Sequence, residues 1–277
     1  MPIEVVNGSP GTIWTPLKDS ATVYVGSLVT CDISAPAEGI EILPDAAGVF
    51  NETNNDMPLG VCIGTNRLTP LFNTTYKCEY ITDPGATDAH DGASIQYYTQ
   101  GDIWAKGDPI AMAKIALITP STLLKASIFN AAVGTGPTVM TVTTGSSDGL
   151  GITTNATQFT PEAYPTATIY CRTGANAGAY RLLDAASSTV HTWDKAMRND
   201  IAVGDKFVAV PMRFFGPSQI MFDGVSASFV DCADAPVLAG TNRWSVIVTR
   251  LDLAEAGKET VEFYFDAVHF SALATRA

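Results

Sequence analysis

The chain has 277 residues, of which 46% are hydrophobic and only 16% charged, and its formal net charge is −12. Soluble domains ordinarily carry about 25% charged residues, so this surface must be built largely from Thr, Ser, Asn, Gly and Ala. The acidic excess is concentrated in residues 1–115, with 5 Lys+Arg against 14 Asp+Glu, and it argues against a nucleic-acid ligand, which requires a basic face.

Residues 1–20, with Pro2, Pro10 and Pro16, read as an extended N-terminal arm. Strand signals then dominate. Residues 21–25 lead into 28–32, followed by 40–43 and 59–63. Residues 76–81 alternate aromatic or apolar with polar, the period of a half-buried strand. Residues 94–98 and 103–105 complete a first set, separated by turn-rich stretches at 51–58 and 83–92. This spacing is near the one strand per about 8–12 residues of an all-β domain. It predicts a β-barrel-like domain over 21–115.

Residues 116–160 read as a junction. Thr119-Pro120 opens a short helix in one reading, with Leu124, Ile128 and Ala132 along one face and Gly134 ending it. The other reading of 111–135 is a strand pair. The stretch from 134 to 151 is rich in Gly, Thr and Ser, with a strand at 139–142. Residues 161–277 then read as a second β domain, a sandwich or barrel, with strands at 167–171, 180–183, 189–193, 206–210, 220–222, 244–250 and 260–265 and a final one at 267–270. Residues 173–178 form a hairpin tip. The expected fold class is therefore all-β with few short helices.

One phrase recurs: a glycine, a polar residue, then a β-forming stretch. It stands at Gly26-Ser27-Leu28-Val29, Gly101-Asp102-Ile103-Trp104, Gly107-Asp108-Pro109-Ile110 and Gly204-Asp205-Lys206-Phe207-Val208. Glycine permits the tight turn, the polar residue is expected to face water, and the apolar residues start a strand.

The chemistry-bearing residues are sparse. Cys31, Cys62, Cys78, Cys171 and Cys232 form no CxxC pair, so zinc and redox motifs find no support. All five read as reduced, as in a protein made in a cytoplasm, with a disulfide among the first three as the alternative. His90, His191 and His269 are isolated from one another. Asp83, Asp88 and Asp91 share a loop with His90, but the alternating acids and final glutamate of a calcium loop are missing. Glu259 and Glu262 read as charges on an outward strand face. Trp14, Trp104, Trp193 and Trp244 read as core anchors, or as a platform for sugar stacking. No G-x-S-x-G elbow, P-loop or dinucleotide fingerprint occurs. The sequence therefore assigns no catalytic, cofactor-binding or metal-binding residue and predicts no enzyme. Met1-Pro2-Ile3-Glu4 lacks the basic start of a signal peptide, and no stretch approaches the ~20 apolar residues of a membrane span.

The order of 25–29, Gly48-Val49-Phe50, Pro58-Leu59-Gly60-Val61, Gly101-Asp102-Ile103-Trp104 and Gly107-Asp108 is similar to that of the capsid-decorating, or cement, proteins of tailed bacteriophages. Residues 172–183 and 203–208 resemble segments of phage virion structural proteins generally. The resemblance implies a protein on the outer face of an icosahedral head, assembled in the host cytoplasm. Its partner would be the major capsid protein, it would form a homo-oligomer, in the first place a trimer, and it would contact neither nucleic acid nor membrane. The rival readings are a major shell protein, which would need a long spine helix, a tail or fibre protein, a virion-displayed carbohydrate-binding adhesin centred on Trp193 or Trp244, and a depolymerase with clustered acids.

Overall fold

The computed structural model describes residues 2–18, 21–32, 39–43, 56–66, 71–74, 76–82, 111–129, 135–156, 167–187, 189–232 and 244–273. Among these residues the regular structure is β, with one 3₁₀ helix at Ala267–Leu273 and no α-helix. The first ten strands are β1 (Glu4–Asn7), β2 (Thr12–Pro16), β3 (Thr22–Tyr24), β4 (Leu28–Asp32), β5 (Ile40–Ile42), β6 (Asp56–Thr65), β7 (Leu71–Asn73), β8 (Cys78–Thr82), β9 (Met112–Leu117) and β10 (Leu123–Phe129). The rest are β11 (Met140–Thr144), β12 (Gly151–Thr154), β13 (Thr168–Cys171), β14 (Tyr180–Ser187), β15 (Val190–Trp193), β16 (Lys206–Val210), β17 (Gly216–Ile220), β18 (Val230–Asp231), β19 (Trp244–Asp252) and β20 (Thr260–Phe265).

The chain forms two compact units. The first comprises Met1–Ala126, Phe222–Phe229 and Tyr264–Ala277, and the second Ser127–Met221 and Val230–Phe263. In the first unit a five-stranded sheet runs in the order β2-β9-β6-β4-β5, and a smaller sheet runs β3-β8-β7. A parallel bridge between Leu17 and Ile40 joins the two ends of the larger sheet, and Lys18 N–H donates to Ile40 O at 2.8 Å. Inside lie Leu17, Val29, Ile40, Cys62, Ala113 and Ile115. Within residues 2–18, β1 pairs with β10 and β2 with β9.

Residues 222–229 return to the first unit as a plug. Leu28 N–H donates to Ala227 O at 3.0 Å, and the Ser27 hydroxyl donates to Ser226 O. The turn is held by Asp223, whose Oδ2 accepts from Ser226 N–H at 2.7 Å and from Ser226 Oγ at 2.6 Å. Ala227 takes a left-handed φ of 46° in this turn, a conformation that costs a non-glycine residue energy and that the surrounding bonds hold in place.

In the second unit β11-β12-β15-β14-β13-β16 close into a six-stranded antiparallel barrel. β13, β14 and β15 form a meander, and β16 returns to lie beside β13, a Greek-key order. Met140, Val142, Ile152, Ile169, Leu183, Trp193 and Phe207 fill the barrel. Full burial of such a side chain contributes roughly 1.5–3 kcal/mol. Beside the barrel run β17-β19-β20, and β18 pairs in parallel with the end of β10 at Ile128↔Val230.

Several expectations change. Residues 123–129 are a strand, not the short helix opened by Thr119-Pro120, and residues 267–270 lie in the 3₁₀ helix instead of a final strand. The strand expected at 220–222 lies earlier, at Gly216–Ile220. The glycine-polar phrase holds in backbone terms at Gly26 (φ 91°) and Gly204 (φ 95°), which lead into β4 and β16. Its polar residue, however, points inward: Ser27 and Asp205 are both buried. The copies at 101–104 and 107–110, the strands expected at 94–98 and 103–105, and Gly48-Val49-Phe50 lie outside the described residues.

Candidate functional site

His191 sits on β15 opposite Ile152 of β12, on the same strand face as the barrel-filling Trp193. It is fully buried, and neither ring nitrogen has a hydrogen-bond partner. Burial alone pushes its pKa below the usual 6.5, which keeps the ring neutral. His269 is buried in the 3₁₀ helix edge-on to Phe265, with ring centroids 6.0 Å apart. Neither histidine presents its ring at the surface. His90, with Asp83, Asp88 and Asp91, lies outside the described residues.

Glu259 is not on an outward face. It is buried against Arg172, whose Nη2 donates to Glu259 Oε1 and whose Nε donates to Leu253 O at 2.8 Å. Their side chains are 1% and 7% exposed. This pair ties the residue leaving β13 of the barrel to the segment entering β20. A side chain at Gly136 would meet the Glu259 carboxylate at 2.6 Å, so the backbone there comes close because glycine leaves room. Glu262, by contrast, is only partly buried and lies 3.9 Å from Arg250.

Cys62, Cys78, Cys171 and Cys232 are buried thiols outside any disulfide. Among the described side chains, no disulfide joins Cys62 to Cys78. Burial pushes the Cys62 thiol up to about 12 and that of Cys171 to about 11, so neither is a ready nucleophile. Among the described residues no group of three or more His, Cys, Asp or Glu is gathered as a metal would require, and no helix is long and apolar enough to cross a membrane.

Trp193 and Trp244 are buried, so the sugar platform expected at either is closed off. Trp193 Nε1–H donates inward to Gly149 O at 2.8 Å. Trp104 lies outside the described residues, whereas Trp14, on β2, is 50% exposed. Sequence reasoning grouped the four tryptophans together. The signal that separates Trp14 is its place among prolines in an uncharged segment.

Apolar side chains are presented to solvent in both units. In the first, Phe72 is 59% exposed on β7, beside Leu71. In the second, Phe215 is 68% exposed and Val203 69%. Phe215 follows Phe214, which packs on Tyr180 at 5.8 Å. Tyr180 in turn packs on Tyr170 at 4.6 Å and donates its hydroxyl to Leu251 O at 2.8 Å. An aromatic stack thus supports the loop that displays Phe215.

A shallow groove of about 290 Å³ lies on the outer wall of the barrel, lined by Thr144, Ser146, Asp148, Leu150, Val190 and Thr192. The Asp148 carboxylate accepts from Ser146 Oγ and from Leu150 N–H at 3.0 Å, and these bonds hold its pKa below the ordinary value. The groove offers hydroxyls, one carboxylate and two exposed aliphatic side chains. Such a surface suits hydrogen bonding to a neutral polar ligand or to a protein loop.

Compared with protein families, with curated proteins and with solved structures, the chain matches none.

Proposed function

We propose that this chain is a structural virion protein that decorates a tailed-phage capsid, binding the major capsid protein lattice on its outer surface and reinforcing it as a homo-oligomer. The single observation that carries the reading is the set of solvent-facing aromatic and aliphatic side chains, Trp14, Phe72, Phe215 and Val203, on a chain with few charges. Large apolar groups in water favour covering, and uncharged surroundings lower the desolvation cost of a contact. A standard contact buries about 800 Å² per partner, and a lattice repeats it around its symmetry axes. The turn-and-strand resemblance to cement proteins supplies the partner.

The test compares heads stripped of this protein with intact heads. Stripped heads are expected to lose resistance to heat or chelator and to regain it when the purified chain is added back. Equal robustness would overturn the cementing role.

The barrel groove favours a second reading, a carbohydrate-binding adhesin on the virion. It predicts specific binding on a glycan array that Asp148→Ala abolishes. Among the described residues Trp14, and neither Trp193 nor Trp244, is an accessible tryptophan.

A further inference from the structure

β2 ends its sheet, with β9 as its one partner there among the described residues. Its pairing with β9 is regular from Thr12↔Ala116 to Pro16↔Met112. Leu117 N–H donates to Gly11 O, and Leu17 N–H donates to Ala111 O, so the odd-numbered residues turn their backbone groups toward β9. Backbone groups alternate sides along an antiparallel strand. Thr12 and Trp14 therefore direct their N–H and C=O groups to the open side. Pro10 and Pro16, which lack an N–H, flank them on either side of Ile13.

We propose that this edge pairs with the same edge of a second copy, antiparallel, about a two-fold axis at Ile13. In that register Thr12 faces Trp14 of the other copy and exchanges both hydrogen bonds with it, and the symmetry repeats the exchange. Pro10 and Pro16 then fall opposite each other, so no donor is left over at either end. Centring the axis on Trp14 instead would oppose Thr12 to Pro16 and leave the Thr12 carbonyl without a donor. Ile13 meets its own mate as a non-hydrogen-bonded pair, the closer of the two pair types, with Cα atoms about 4.5 Å apart.

Charge supports a second copy as the occupant. Two chains of net charge −12 repel, but residues 5–17 contain no charged side chain. Between its two guarding prolines the edge has no lysine and no inward charge, and Ile13 and Trp14 are 39% and 50% exposed. The paired strand is short, so the association is expected to be weak and reversible. The proposal does not rest on the capsid reading. A chain that pairs yet leaves stripped heads fragile would separate the two.

The test uses the full chain in sedimentation velocity across a concentration series, with circular dichroism melts as the check on folding. The expected result is a reversible dimer. Thr12→Pro removes an open-side donor that β9 does not use, and Trp14→Glu adds a charge to the strip while facing Lys114 on its own sheet. Each should weaken dimerisation at least tenfold with the melt preserved. Under mild oxidation Ile13→Cys should cross-link into a covalent dimer, and Thr15→Cys should not. A monomer throughout the series, or a dimer indifferent to Thr12→Pro and unlinked by Ile13→Cys, would overturn the proposal.

Discussion

In the second unit every barrel strand has a partner on both sides, whereas the five-stranded sheet of the first is joined end to end by the bridge of Leu17 to Ile40. The same chemistry of Val, Ile and Thr strands thus meets the edge problem in two ways. A closed barrel abolishes edges. Among the described residues, a sheet closed at one end keeps a length of edge beside Thr12 and Trp14. Among the described residues the barrel also has a buried ion pair at its flank and an unpartnered imidazole on the face of its core.

The largest expected effect breaks the second unit alone. Glu259→Ala leaves the Arg172 guanidinium buried without its counter-charge, and should cost about 3–5 kcal/mol. A denaturant melt should show that loss in the second unit's signals. Leu17→Ala, the matching cut in the first unit, removes the side chain at the closing bridge and should cost about 2–5 kcal/mol by the usual range for buried leucines. Cysteine labelling tells the units apart, because Cys62 and Cys78 report the first and Cys171 and Cys232 the second. In mild denaturant Leu17→Ala should accelerate labelling of the first pair only.

A smaller effect sharpens the contrast through pH. His191 is held neutral in the folded barrel, its pKa depressed from 6.5 by burial, so at low pH the unfolded chain binds the extra proton. Stability is therefore full above about pH 6.5 and falls as pH drops below it, by at most about 1.4 kcal/mol per pH unit from this group. His191→Phe should flatten that slope, and melts of both proteins between pH 5 and pH 8 would check it. The smallest effect is expected at the surface. Phe215→Ser should change folding stability by no more than about 0.5 kcal/mol, yet reduce binding to capsids if the proposed role is right.

The clearest strands were legible because one period fitted them. In β20, Val261, Phe263 and Phe265 are buried and alternate with half-buried residues. Leu124 and Ile128 misled, because a spacing of four satisfies a helix turn and also two strand repeats. Ala126, buried between them, marks the strand. The apolar run at 267–270 was too short to carry a period. Burial of polar residues was hidden for another reason. The Ser27 partner lies 199 residues away and the Arg172 partner 87 away, so no local pattern announces either. The exposed groups were equally silent, since Phe215 and Phe207 are the same residue type and tertiary packing alone distinguishes them.

The plug at 222–229 has a consequence for synthesis. Translation delivers β2 to β9 early, but Asp223 and Ser226, which complete that unit's interior, leave the ribosome only after the whole barrel sequence has been made. Of the two units, the one whose strands come earlier in the chain is therefore completed late. A gene fragment stopping at residue 126 would freeze the molecule short of that completion, with Leu28 N–H still lacking the Ala227 carbonyl it bonds in the finished fold.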